Sequence, residues 1–308
     1  MNKKLAVYII KRILLAILTL FVIALLTFIL MHSVPGGPFN KEKAISHAAL
    51  EALKRKYGLD KPYYQQFLIY LKNIVTFDFG PSLKYRGVNV TEAILTGFQT
   101  SAIVGGLAII LALLVGTVLG SYAAVKHNKW QDKLIMVLST ACIAMPSFVI
   151  ASLFLILFGV KFPIFPTRGD TFAGLILPII SLSLYPMSYI TRLSRSSMLD
   201  VLGQDYIRTA LAKGVPKKKI IFKHALKNAL TPVITYAGPM TAFTLTGSMV
   251  VESIFSVPGL GRRFVDCVLS RDYPMIMGTT AFLAILVIIM TLISDILYKV
   301  VDPRVKLD

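Results

Sequence analysis

The sequence is poor in cysteine, in acid and in tryptophan. Two cysteines in 308 residues exclude a disulfide framework. Cys142 falls in an apolar run and Cys267 in a segment read as loop, so no metal site is indicated either. Only 15 Asp and Glu stand against 33 Lys and Arg, a formal net charge of +18. No G-x-x-x-x-G-K-[ST] occurs, which excludes ATP binding through a P-loop. Neither H-E-x-x-H nor G-x-S-x-G is present, which removes the zinc-protease and serine-hydrolase signatures. The histidines His32, His47, His127 and His224 are scattered and assemble into no metal site from sequence. No catalytic residue is expected.

What is there is apolar. Hydrophobic residues make up 56% of the chain, above the 45–50% or so of soluble domains. They fall in runs near the length that crosses a bilayer as helix, roughly 17–25 residues. The expected spans are Ile13–Met31, Ser101–Val125, Leu134–Val160, Phe172–Ile190, Pro232–Val251 and Met277–Val300. No run alternates as a strand would. The fold class is therefore all-α and polytopic, with six transmembrane helices. Ile13–Met31 follows a basic start, as a signal peptide does, but it is long enough to span. No small-residue cleavage site follows it, so it reads as a retained first span.

Six spans place both termini on one side, and the basic residues say which. With the termini cytoplasmic, the inside segments hold 19 of the 33 Lys and Arg, nine of them in residues 191–231. The two short outside loops hold five. The remaining nine lie in the long segment 32–100, too long for the rule to weigh. The expected organisation is an N-terminal segment and first span (1–31), an extracytoplasmic segment (32–100), a five-helix core (101–300) carrying a cytoplasmic loop (191–231), and a tail (301–308).

The outer segment opens on "HSVPGGPF", a Pro/Gly turn. "KEKAISHAALEALKRKYGLD" is expected to be helical up to a C-cap at Gly58. "KPYYQQFLIYLKNIV" has Pro62 at its start and Tyr63, Phe67, Tyr70, Leu71 and Ile74 at helical spacing. This suits a small cap resting on span ends, or a docking surface for an outer partner. Within the spans, Gly116 and Gly120 form a GxxxG that permits close helix packing. Pro146, Pro178, Pro186 and Pro239 interrupt the helices. Glu252 and Asp295 lie near interfaces and form no chain of buried acids. Asp295 is placed to pair with Lys299.

One stretch is polar within this apolar chain. "RTALAKGVPKKKIIFKHALKN", Arg208 to Asn228, carries seven Lys or Arg and no acid. Met198–Lys213 is expected as one helix, closed by Gly214 in the left-handed conformation. Pro216 suits the first position of a second helix. There Ile221–Ala225 and Phe222–Leu226 form an apolar stripe beside a basic face. A helix on anionic lipid accounts for the charge, about 1 kcal/mol per Lys or Arg. It leaves the Gly-x-Pro turn unexplained. A docking element presented to a soluble partner accounts for both.

The stretch resembles the cytoplasmic EAA loop of bacterial ABC importer permeases. That loop has a small-residue triplet, a Gly four residues after the triplet's last member, and a basic-apolar helix beyond. Here the triplet falls on Arg208, Thr209 and Ala210, followed by Gly214 and "FKHALKN". Arg208 and Thr209 replace the Glu and first Ala, in the form "DYIRTA.AKG" common in the peptide-uptake branch. "PGGPF", "YGLDKPYYQQF", "FDFGPS", "RLSRSSMLDVL", "FSVPGLGRRF", "RDYP" and "VDPRVKLD" are similar to that branch too, in order along the chain. The resemblance is specific for the B-type permease of oligopeptide or dipeptide ABC importers, the oligopeptide type above all.

The resemblance implies a type I ABC importer permease fold in a bacterial cell membrane. It implies a second homologous permease (C-type), two ABC ATPases and an extracytoplasmic peptide-binding protein as partners, with membrane lipids around them. ATP and Mg would sit on the ATPases, and this chain would bind no cofactor. Arg208, Thr209, Ala210, Lys213, Gly214, Pro216, His224 and Asn228 would form the coupling helix that docks on an ATPase. ATPase closure would then swing the permeases from inward-open to outward-open. Substrate-path residues are not assigned by sequence, and oligopeptide, dipeptide, glutathione and nickel chelate stay open as cargo. The competing reading is a secondary transporter or channel driven by an ion gradient. It fits inverted repeats and a mid-membrane ion site, and neither is visible. Nucleic acid is not an expected partner: the basic charge is split between the two membrane faces and no nucleic-acid-binding module is present.

Overall fold

The computed structural model describes residues 3–34, 51 and 58–301, with side chains at 10–34, 51 and 58–294. The helix expected before Gly58, the "PGGPF" turn, His47, the Asp295–Lys299 pair and the tail therefore lie outside what is described. Among the described residues the structure is helical, with a lone antiparallel bridge between Pro81 and Asn89. The chain divides into two compact units, residues 1–99 with 262–288 and residues 100–261 with 289–308.

In the first unit, α1 (Lys3–Ser33) exposes Leu14, Leu18 and Leu30, as a lipid-facing helix does. α2 (Tyr63–Thr76) starts after Pro62 and ends at Phe77 in the left-handed conformation. It buries Tyr70 and Ile74 and sets Phe67 against Phe28 and Phe21. The Tyr70 hydroxyl donates to the Met277 carbonyl (3.0 Å). Gln66 meets the His32 ring (3.0 Å). α2 is thus a cap on span ends, although Tyr63, expected in its apolar stripe, is exposed. Two of the singled-out segments meet in this unit. Ser82 of "FDFGPS" donates its hydroxyl to the buried Asp272 of "RDYP", and the Leu83 amide donates to the same carboxylate (3.1 Å).

The second unit is organised around α3 (Val90–Val125), from Thr100 onward, and α6 (Phe172–Leu202). Gly116 and Gly120 let them touch. A Cβ at Gly116 would lie 2.7 Å from the Met187 carbonyl, and one at Gly120 would collide with the Thr191 carbonyl. The GxxxG is a packing device. α4 (Trp130–Ala144) and α5 (Ser147–Phe154, continued by a π-helical turn Leu155–Lys161) correct the third expected span. They meet at a 105° bend. The cause is Pro146, which forces Met145 into extended backbone, φ −80° and ψ 130°.

The fifth expected span also divides. Its first part, α9 (Thr231–Leu245), is 15 residues long. Gly247 then takes φ +82°, and Ser248 caps α10 (Met249–Ile254) by accepting the Val251 amide. α11 (Leu260–Ser270) and α12 (Tyr273–Val301) complete the chain. Cys267, read as a loop residue, is instead buried in α11. The remaining four expected spans correspond to α1, α3, α6 and α12. Each helix is longer than its apolar run, because helix propensity continues past the point where hydropathy stops.

Among the described residues, the buried carboxylates accept hydrogen bonds. Asp132, at the first turn of α4, holds Arg195 of α6 through Nε (2.5 Å) and Nη2 (2.7 Å). It also accepts the Asn128 amide (2.9 Å), and His127 lies 3.6 Å away. Ser101 donates to the buried Glu252 (2.7 Å) and accepts the Leu260 amide (2.8 Å).

Candidate functional site

The basic stretch folds as two helices around one tight turn. α6 runs on to Leu202 and breaks at Gly203–Gln204, so the helix expected from Met198 is divided there. The second piece is α7 (Asp205–Ala212). Gly214 has φ +74°, the left-handed conformation expected of it. Its amide donates to the Leu211 carbonyl (3.0 Å), and the Val215 amide reaches back to the Ala210 carbonyl (3.1 Å). These two bonds are those of a Schellman motif. They satisfy carbonyls that a helix end leaves open.

Pro216 precedes the second helix as its N-cap, with ψ 139°, one position earlier than expected. That helix, α8, joins Lys217–Lys219, a π-helical turn Ile220–Ala225 and Leu226–Ala229. The Leu226 amide bonds the Ile221 carbonyl, five residues back. The wider turn changes which side chains face inward. Ile220, Ala225 and Ala229 are buried, with Ile207, Met198 and Ala124. Phe222, expected in the apolar stripe, points outward and is 70% exposed. A 3.6-residue period cannot reveal this. The i,i+5 pair Ile220 and Ala225 is the trace it leaves.

The sequence-derived residues are distributed as follows. Arg208, Thr209, Lys213, Gly214 and Pro216 are exposed around the turn, and Ala210 is half-buried beneath it. His224 is half-buried in α8. Asn228 donates its side-chain amide to the Tyr206 hydroxyl (2.9 Å), tying α8 to α7. Tyr206 was not singled out from sequence, since only the folded turn brings positions 206 and 228 together. Asp205 is the one acid between Gln204 and Asn228. Its ion pair with Arg208 spans 3.8 Å between exposed groups, a geometry that contributes little. The turn thus presents a cationic, solvent-facing surface on a buried apolar base. Such a surface can seat against an acidic groove or an anionic bilayer; it has no group arranged for bond-making chemistry.

Residues 116–307 match the family described as the binding-protein-dependent transport system inner membrane component. Residues 5–86 match the N-terminal part of such components. The chain belongs to this family. An inner membrane component of this kind is a multi-pass protein of the bacterial plasma membrane, and its fold is the type I ABC importer permease fold. The permease is 46% identical to the dipeptide transport system permease protein DppB of Bacillus subtilis over 301 residues, covering 97% of this chain and 98% of that one. It is 43% identical to DppB of Lactococcus lactis, over 97% and 99% of the two chains. With the oligopeptide transport system permease protein OppB of Haemophilus influenzae the identity is 39%, again over 97% and 99%. The basic turn lies inside the matched family region.

Proposed function

We propose that this chain is the transmembrane permease subunit of an ATP-driven importer of dipeptides or oligopeptides, which an extracytoplasmic binding protein delivers. The observation that carries the reading is similarity to dipeptide and oligopeptide permeases along 97% of the chain. In this reading there are six membrane passages with both termini cytoplasmic. Segment 32–100 lies outside, 101–300 forms the core, and a second, C-type permease supplies the other half of the path. ATP and Mg belong to two ATPase subunits.

The coupling element is the turn of α7 and α8. The Schellman bonds fix the angle between the two helices, so a push on α8 passes to α7 and α6 and is not absorbed by the loop. Arg208, Thr209, Lys213 and Pro216 form its outer surface, Ala210 and Gly214 shape the turn, Asn228 ties the second helix to α7 through Tyr206, and His224 belongs to the docking helix. An acidic groove on an ATPase complements this charge.

Mild detergent extraction of the tagged chain from its native membrane, followed by mass spectrometry, tests the assignment. The expected co-purifying chains are a second permease, two P-loop ATPases and a peptide-binding protein. A chain that purifies alone, and still transports in liposomes on an ion gradient without ATP, would establish a secondary transporter. The basic turn would then be a lipid anchor.

A further inference from the structure

A recess of about 580 Å³ opens in the second unit where three helix interruptions converge. They are the bend at Pro146, Pro186 within α6, and the break at Gly247. Each interruption leaves backbone polar groups short of helical partners. Pro146 and Pro186 have no N–H to offer the carbonyls of Cys142 and Leu182. The wall between these breaks is apolar, yet it holds hydroxyls. Ser181 is 2% exposed, and its Oγ has no hydrogen-bond partner. The Tyr185 and Tyr236 hydroxyls have none among the described residues. Tyr236 is held in place by its ring, stacked on Tyr189 at 4.2 Å and 24°. No residue lining the recess carries a charge.

A buried hydroxyl without a partner, as at Ser181, costs about 1–3 kcal/mol; Tyr185 is exposed and Tyr236 half-buried, so their hydroxyls are open to a polar guest. We infer that this recess is where the permease contacts its cargo in transit, and that it takes the peptide main chain. A main chain offers an N–H and a C=O at every residue, whatever its side chains. Carbonyls freed at helix breaks accept from the one, and tyrosine and serine hydroxyls donate to the other. Met240 and Phe243 supply an adaptable apolar floor for varied side chains. A charged wall would hold oppositely charged side chains and stall them. The inference rests on the peptide-importer reading and assigns the path residues within it.

The test uses the whole transporter, with its partner permease, ATPases and binding protein, in proteoliposomes. A tetrapeptide bearing benzoylphenylalanine is photolysed during ATP-driven transport. Label is expected on the fragments holding Ser181–Tyr185 or Tyr236–Thr244. Label only on other segments, on the partner permease or on lipid would overturn the assignment. In parallel, Tyr185→Phe with Tyr236→Phe is expected to lower tri-alanine uptake about tenfold, the scale of two lost hydrogen bonds. ATP hydrolysis stimulated by the loaded binding protein should stay within about twofold on the same scale. Unchanged uptake would refute the role of the hydroxyls. Failure of the unsubstituted transporter to move any peptide would instead refute the peptide-importer reading, and this inference with it.

Discussion

Ser101 donates its hydroxyl to Glu252 across 2.7 Å, and neither side chain reaches solvent. The same oxygen accepts the Leu260 amide, so one small side chain joins α3, α10 and the start of α11. Gly259 completes the arrangement, since a Cβ there would collide with the Glu252 carboxylate.

Ser101→Ala removes one bond from a buried carboxylate and strands a backbone amide. The expected loss is about 1–3 kcal/mol, read as a lower midpoint of thermal unfolding in detergent. Ser101→Thr keeps the hydroxyl and should recover part of it. Equal midpoints for all three proteins would show that Ser101 contributes nothing.

Gly120→Val should destabilise the packing of α3 on α6 by about 1–3 kcal/mol through overpacking. Gly106 has open space around its Cβ position, so Gly106→Ala serves as the control and should leave the unfolding midpoint unchanged. A Gly120 variant as stable as that control would disprove the close approach.

Asp132→Asn breaks the two-pronged contact with Arg195. Hydrogen bonds to charged groups contribute about 1.5–3 kcal/mol, and a loss of that order is expected in chemical unfolding. In a double-mutant cycle with Arg195→Leu the two losses should be clearly less than additive. Additivity would mean the pair does not act as one.

Gly214→Asp puts a side chain at φ +74°, where an L residue is strained by about 1 kcal/mol. Among the described residues, nothing beyond its two chain neighbours lies within 4 Å of the added Cβ. The variant should therefore reach the membrane at a normal level, while peptide uptake is lost because the ATPase no longer seats. Quantitative blotting beside uptake assays separates the two effects. Normal uptake would remove the coupling role from the turn.

Cys267 should resist thiol reagents. Burial, with the nearby Asp272 charge, raises its thiol to about 12, and the thiolate is the reactive form. In a Cys142→Ser background, maleimide labelling at pH 8 should be negligible in the native protein and complete after denaturation. The thiolate fraction, and with it the labelling, rises only as pH climbs toward that value. Rapid native labelling at pH 8 would contradict the buried placement.

Much of this was legible in the residue order. Long apolar runs located α1, α3, α6 and α12, because hydropathy and helix length are both properties of the local chain. Gly214 declared its left-handed turn for the same reason. The bend at Pro146 carried a local signal, but apolarity on both sides concealed it. The outward turn of Phe222 carried almost none, since a π-helical register depends on which side chains the core accepts. The Ser101–Glu252 bond spans 151 positions, and nothing in either neighbourhood announces the other. The turn at Gly214 was legible through pattern; the Tyr206–Asn228 bond and the recess at Ser181 required the fold.

The shortness of α9 bears on how the protein is made. Fifteen residues rise about 22 Å, against about 30 Å of hydrocarbon. The machinery that threads segments into the bilayer one at a time meets here a rod too short to be held by lipid alone. The backbone groups at its end, Thr246 and Gly247, must be shielded by neighbouring helices before they can rest at that depth. Insertion of this segment is then an act of tertiary assembly. A nascent chain halted at Ser256 should leave α9 outside the lipid core until α3 and α6 have closed around it.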